Sequence, residues 1–104
     1  MKVLLLAAGT AVLSLGVVAN VSADSAALAT KSGCMACHQV ETKIVGPAYK
    51  EVAAKYKGQE GAVDTLAAKV KAGGSGAWGQ IPMPPNAHIS DEDIKAIVTW
   101  ILAL

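Results

Sequence analysis

The stretch SGCMACHQVETKIVGP, residues 32–47, holds the only two cysteines of a 104-residue chain, and a histidine follows directly on the second. Two thiols three positions apart, with an imidazole beside them, admit three readings. A thioredoxin-like dithiol needs its C-x-x-C at the head of a helix that follows a strand, and no part of this chain shows the period-two alternation of a strand. A structural zinc site needs four ligands; beyond Cys34, Cys37 and His38 only His88 remains to complete one, at a lopsided spacing. The third reading is covalent haem attachment, for which C-x-x-C-H is the recognised pattern.

That spacing has a physical rationale. Thiols at Cys34 and Cys37 can each add to one of the two vinyl groups along a haem edge, and the His38 imidazole is then carried beneath the iron. One short segment makes two thioether bonds and one axial bond. The start of the chain bears on the choice. Lys2 is a short positive region, residues 3–18 form an apolar run broken by Gly9, Thr10, Ser14 and Gly16, and Val21-Ser22-Ala23 places small residues where a signal peptidase accepts them. Residues 1–23 thus read as a secretory signal peptide cleaved after Ala23, the alternative being an uncleaved anchor close to the roughly 20 apolar residues that span a bilayer. Export favours haem, because c-type attachment takes place outside the cytoplasm, where a bare cysteine pair drifts to a disulfide.

Removal of the leader leaves residues 24–104, enough for one domain. So short a chain buries a thin core. The lack of any Phe sharpens the problem, Tyr49, Tyr56, Trp78 and Trp100 being the only aromatics. A haem answers it as a large apolar plate around which the chain can fold. All nine basic residues are lysines against eight acids, so wholesale nucleic-acid binding is excluded.

Residues 25–32 form a short Ala-rich helix candidate, capped by Asp24 or Ser25 and stopped by Gly33. Helical periodicity recurs over 48–57, with Tyr49, Val52, Ala53 and Tyr56 on one face, and over 62–72, with Val63, Leu66, Ala67 and Val70. Residues 73–89 hold three of the chain's four prolines and four glycines, which rules out a helix there and predicts a long, functional loop. Ser90-Asp91-Glu92-Asp93 opens a last helix whose buried stripe is Ile94, Ile97, Val98 and Ile101, with Ser90 as cap and Asp93 at the reciprocal position.

A haem held by His38 on one side invites a ligand on the other. Met35 lies between the cysteines and cannot reach the opposite face. Met83 sits inside Ile81-Pro82-Met83-Pro84-Pro85, where prolines fix φ and stiffen an extended loop around the thioether. A lone Met is otherwise core filler, but this one lies on no helical stripe. His88 is the competing sixth ligand, and its binding would lower the reduction potential relative to a thioether.

Gly33-Cys34-Met35-Ala36-Cys37-His38, Val45-Gly46-Pro47-Ala48-Tyr49 and Trp78-Gly79-Gln80-Ile81-Pro82-Met83-Pro84-Pro85-Asn86 together resemble the small bacterial class I cytochromes c of the c-551/c-552 type. The likeness runs over about residues 28–102. It implies that 24–104 is a cytochrome c domain with an all-α fold, four to five helices around one covalently attached haem c, the first and last helices crossing. It implies attachment through Cys34 and Cys37 and axial ligation by His38 and Met83. By the same resemblance the Pro47 carbonyl accepts from the His38 ring, Trp78 donates to a haem propionate, and Asn86 holds the Met83 sulfur. Trp100 reads as packing between the terminal helices.

Imidazole and thioether are neutral, so an apolar pocket penalises the charged Fe(III) state and the potential is expected to be well positive. With both axial positions filled, the chemistry left is one electron in and out. The expectation is a periplasmic electron carrier and not an enzyme, a monomer with no stable membrane insertion and no nucleic-acid partner. Its donor would be a quinol–cytochrome c reductase or another cytochrome, its acceptor a terminal oxidase, nitrite reductase or peroxidase. Lys50, Lys55 and Lys57 are candidates for a steering patch. The alternative is a haem enzyme or gas sensor in which Met83 dissociates.

Overall fold

The computed structural model describes residues 17–104, with side chains from Asp24 onward; the reading of a signal peptide falls largely on residues 1–16, which lie outside the described residues. The elements follow in the order α1 (Val17–Lys31), a 3-10 turn (Cys34–Ala36), α2 (Tyr49–Tyr56), α3 (Ala62–Ala72) and α4 (Asp91–Leu102). Among the described residues the only β pairing is two isolated bridges, His38 with Lys43 and Gly74 with Met83. The all-α expectation holds.

Helix α4 is the element on which α1, α2 and α3 each pack. It starts where Ser90 caps it, the Asp93 backbone N–H donating to Ser90 Oγ over 3.1 Å, with Asp91, Glu92 and Asp93 at the positive helix end. The reciprocal bond from the Asp93 side chain is not made. Asp is one methylene shorter than the Glu or Gln of a capping box. Ile94, Ile97, Val98 and Ile101 are all buried, as their spacing predicts, and Ile94 and Val98 are the largest fully buried side chains. Each such side chain contributes roughly 1.5–3 kcal/mol.

Helices α2 and α3 also follow their periodicity. Tyr49, Ala53 and Tyr56 are buried on α2, and Leu66 and Ala67 on α3, while Val52, Val63 and Val70 are half-buried. The first helix departs from expectation. It does not begin at Asp24 or Ser25, which lie inside α1, Asp24 exposed and Ser25 buried. No Gly or Pro interrupts residues 17–32, so nothing stops the helix propagating upstream of the capping residues. Its end is where the sequence places it: Gly33, at φ 87°, takes the left-handed turn that leads into the 3-10 turn.

Two small apolar clusters result. Tyr56, Leu66, Ala67, Ile89, Ile94 and Val98 make one between α2, α3 and α4. Ala29, Tyr49, Ile97 and Ile101 make the other, with Met35 and Trp100 packed against it. Trp100 therefore sits between the terminal helices as expected, and Met35 is core filler.

The long loop after α3 is tied down along its length. Gly74 and Met83 exchange backbone hydrogen bonds of 3.0 and 2.8 Å, and the Asn86 N–H donates to the Lys71 carbonyl over 3.1 Å. Lys71 Nζ donates to the Ile89 carbonyl over 2.6 Å and pairs with Asp91 at 3.2 Å, clipping the loop's far end to the start of α4. Gly73 makes this packing possible. It has φ 70° and ψ −168°, a conformation open essentially to glycine alone. A Cβ there would lie 2.5 Å from the Met83 carbonyl oxygen and 2.8 Å from Pro85 N. Gly73→Ala is therefore expected to destabilise the fold by about 3 kcal/mol, summing backbone strain and overpacking. Chemical denaturation checks this; a loss below about 1 kcal/mol would show that the loop can move aside freely.

Candidate functional site

The 3-10 turn gathers the chemistry of the opening motif. The His38 N–H donates to the Cys34 carbonyl over 3.1 Å and that of Cys37 to the same oxygen over 3.3 Å. Both thiols and the imidazole consequently border one cavity. The cysteines are free and half-buried. Burial pushes the Cys34 thiol above its ordinary pKa, and the neighbouring Tyr49 hydroxyl pulls the other way more weakly. Cys34 is thus a neutral thiol near pH 7.

His38 is 9% exposed, and its Nδ1 lies 2.8 Å from the Pro47 carbonyl oxygen. A carbonyl can only accept, so Nδ1 carries a proton, and in the neutral ring Nε2 is the nitrogen with the lone pair. Among the described residues Nε2 has no hydrogen-bond partner, yet no side-chain nitrogen is sealed off without one. The lone pair therefore opens onto the cavity. The resemblance implied the Pro47 contact, and the structure makes it. Gly46 packs its backbone on the ring, where a Cβ would collide with Cε1 and lie 2.9 Å from Nε2. Its N–H donates to the Cys37 carbonyl over 2.7 Å, folding the 38–47 loop back onto the motif.

Tyr49 completes this side. Its ring stacks on His38 with centroids 5.0 Å apart and planes 20° apart, and Trp100 meets it edge-on at 5.7 Å. Burial, then the neighbouring Cys34, push the Tyr49 phenol well above its usual pKa, so it stays protonated.

The cavity measures about 440 Å³. Its walls are the inner faces of both apolar clusters, including Val52, Leu66, Ile94 and Ile101, and Met83 borders it from the proline-rich loop. Met83 is half-buried and fixed in both directions by its paired bonds to Gly74. His88 is exposed and does not border the cavity. Among the described residues no three His, Cys, Asp or Glu side chains are grouped to hold a metal ion, so the zinc set is not assembled.

Two further residues that the resemblance singles out have these surroundings. The Asn86 amide donates to the Val70 carbonyl over 3.1 Å and to that of Pro84 over 3.2 Å, which engages its amide nitrogen with backbone and makes it a clamp of the loop on α3. Trp78 borders the cavity, 38% exposed, with the Lys55 ammonium 4.5 Å above its ring. Lys55 also donates to the Ala77 carbonyl over 3.1 Å. The lysines sort by partner: Lys50 pairs with Glu41, Lys71 with Asp91 and Lys95 with Asp64. Lys43 and Lys69 border the cavity, and no acid does. Lys50, expected in a steering patch, is already neutralised by an acid nine residues upstream.

These residues fit a haem. The cavity falls within the roughly 300–1,000 Å³ of small-molecule sites, its walls are mostly apolar, and its donors are two thiols, one imidazole nitrogen and one thioether, the set that holds haem c. Cys34, Cys37, His38 and Met83, separated by as many as 49 positions, all border the same space. Sequence reasoning gave neither Tyr49 nor Gly46 a contact with His38, although both stand in the run that carries the resemblance. The Val-Gly-Pro-Ala-Tyr run after the motif was the signal available.

Comparison with known proteins agrees. The Cytochrome c family model matches residues 22–104. The cytochrome c-551 of Allochromatium vinosum is 69% identical over 77 residues, covering 74% of this chain and 82% of that protein. The cytochrome c-552 of Nitrosomonas europaea is 55% identical over 96 residues, 92% of this chain and 93% of that protein. The crystal structure of wild-type Nitrosomonas europaea cytochrome c552 superposes with a TM-score of 0.74 at 61% identity, covering 76% of this chain and 98% of that one. On family match, near-complete alignment and shared helical fold, the chain belongs to the cytochrome c family as a small class I member, an electron-transfer cytochrome with one covalently bound haem c and not an enzyme.

Proposed function

We propose that this cytochrome works in the periplasm as a shuttle between redox proteins, its haem attached through Cys34 and Cys37 and its iron held by His38 and Met83. The observation that carries the reading is the meeting of two thiols, an Nε2 lone pair and a thioether around one apolar cavity that no acidic side chain borders. When bound, the haem supplies a one-electron iron couple. His38 and Met83 would hold the iron from the two sides of the cavity and so would leave no site on it for O₂ or substrate. Both ligands are neutral and the walls apolar, which disfavours the additional positive charge of the oxidised state and raises the potential.

Residues 1–23 act as the export signal and are removed, leaving Asp24 as the first residue. The leader's composition supports this, as does the chemistry of the site, since thioether attachment belongs to compartments outside the cytoplasm. No helix among the described residues is long and apolar enough to cross a membrane.

Partners dock at the cavity mouth. There Val45, Trp78 and Ile81 are exposed, Ile81 by 68%, beside Lys43, Lys55 and Lys69, none of which forms an ion pair among the described residues. A small apolar centre with unpaired positive charge around it suits a brief encounter with an acidic redox protein. The donor class is a quinol–cytochrome c reductase or another cytochrome, the acceptor class a terminal oxidase, nitrite reductase or peroxidase.

Three measurements follow. Met83→Ala should abolish the weak near-infrared sulfur–iron band of the oxidised protein and lower its potential by on the order of 0.1 V or more, within the roughly 0.8 V that axial ligands command; a band that survives sinks the assignment. Replacing Lys43, Lys55 and Lys69 together by Gln should slow oxidation by anionic ferricyanide roughly tenfold at low ionic strength, speed oxidation by a cationic cobalt complex, and leave little difference at high salt. Equal rates with both oxidants would remove the steering patch. N-terminal sequencing of the protein purified from its host should begin at Asp24, whereas an intact leader would overturn the proposed processing.

A further inference from the structure

One hydrogen bond fixes a ring only in part. The Nδ1–H that His38 donates to the Pro47 carbonyl directs one edge of the imidazole and leaves rotation about the Nδ1···O line open. Turning about that line sweeps the ring faces sideways and needs free space beside them. Such space is lacking. The Tyr49 ring lies along one face at 5.0 Å between centroids and 20° between planes, and the Gly46 backbone crowds Cε1 so closely that no Cβ fits.

Tyr49 is itself immobile. It is 4% exposed, opens α2, and its backbone N–H donates to the Gln39 carbonyl over 2.9 Å. Behind it Trp100 of α4 abuts the ring at 84°, with centroids 5.7 Å apart. An offset stack of this kind contributes about 0.5–1.5 kcal/mol beyond area burial, enough to select one ring orientation over another.

We propose that Tyr49 is the positioning residue that sets the plane of the His38 imidazole, with Trp100 as its buttress. This rests on the reading of His38 as an axial ligand. The functional consequence is electronic. The direction of an axial imidazole plane decides which parts of the macrocycle share the unpaired spin of oxidised iron, and so which part of the rim couples best to a partner.

The test uses the haem-loaded protein and three variants, Tyr49→Phe, Tyr49→Leu and Trp100→Leu, with proton NMR of the oxidised form as the readout. The order and spread of the haem methyl resonances report the imidazole plane. Tyr49→Phe, which keeps the stack and drops the hydroxyl, should preserve the wild-type pattern. Tyr49→Leu should change it, and Trp100→Leu should shift it in the same sense by less. An unchanged pattern in Tyr49→Leu overturns the proposal, as does a change in Tyr49→Phe equal to that in Tyr49→Leu. If Tyr49→Leu does not fold, Trp100→Leu decides, and its wild-type pattern overturns the proposal. The reduced wild-type protein separates this from failure of the ligand reading: ring protons of His38 shifted strongly upfield by the haem confirm the ligand, and their absence removes both ideas together.

Discussion

A chain with no Phe, whose buried faces are mostly Ala, Val and Ile, does not close its own interior. The apolar stripes of α2, α3 and α4 are correctly formed, yet they meet as walls around some 440 Å³ of space and not as a filled core. Every other feature is subordinate to that constraint. The helices are short, only α4 packs on all the others, and the largest fully buried side chains are a single Ile and a single Val. A bound haem brings the missing apolar area to both clusters at once, so cofactor loading and folding are coupled, as for other proteins whose binding free energy is also folding free energy.

The two sides of the cavity are built by different means. On the histidine side, sequence neighbours do the work. The 3-10 turn, the returning 38–47 loop and the first residue of α2 all lie within 16 residues of Cys34, and they fix the imidazole by a hydrogen bond, a backbone contact and an aromatic stack. On the methionine side the chain relies on tethers between distant segments: Gly74 to Met83, Asn86 to Val70 and Lys71, and Lys71 to Ile89. Gly73 permits the close approach.

Local patterns carried most of what could be read from the sequence. The C-x-x-C-H spacing, the i, i+3, i+4, i+7 stripe on α4 and the proline-braced Met83 are each legible within a dozen residues. Features that depend on through-space partners were not. The stacking of Tyr49 on His38 is invisible because Tyr49 already satisfies a helical stripe, and one residue can serve two faces of a site. Lys50 looks like free charge until Glu41 is found beside it. The two backbone carbonyls that the Asn86 amide meets, those of Val70 and Pro84, are likewise found only in three dimensions. The helix start differs for another reason: the described chain still carries residues 17–23, and a cap marks where a helix can begin but does not stop one arriving from upstream.

The paired backbone bonds between Gly74 and Met83, with prolines on either side of the methionine, bear on speed. Electron exchange is slowed by whatever atoms must move when the charge changes. A thioether whose main chain is fixed in both directions and whose neighbours have φ locked has little room to relax, so with Met83 on the iron the reorganisation barrier would be small in either direction. The stiffness of this loop thus favours fast exchange with a weakly bound partner, the regime in which encounters last too briefly for slow rearrangement.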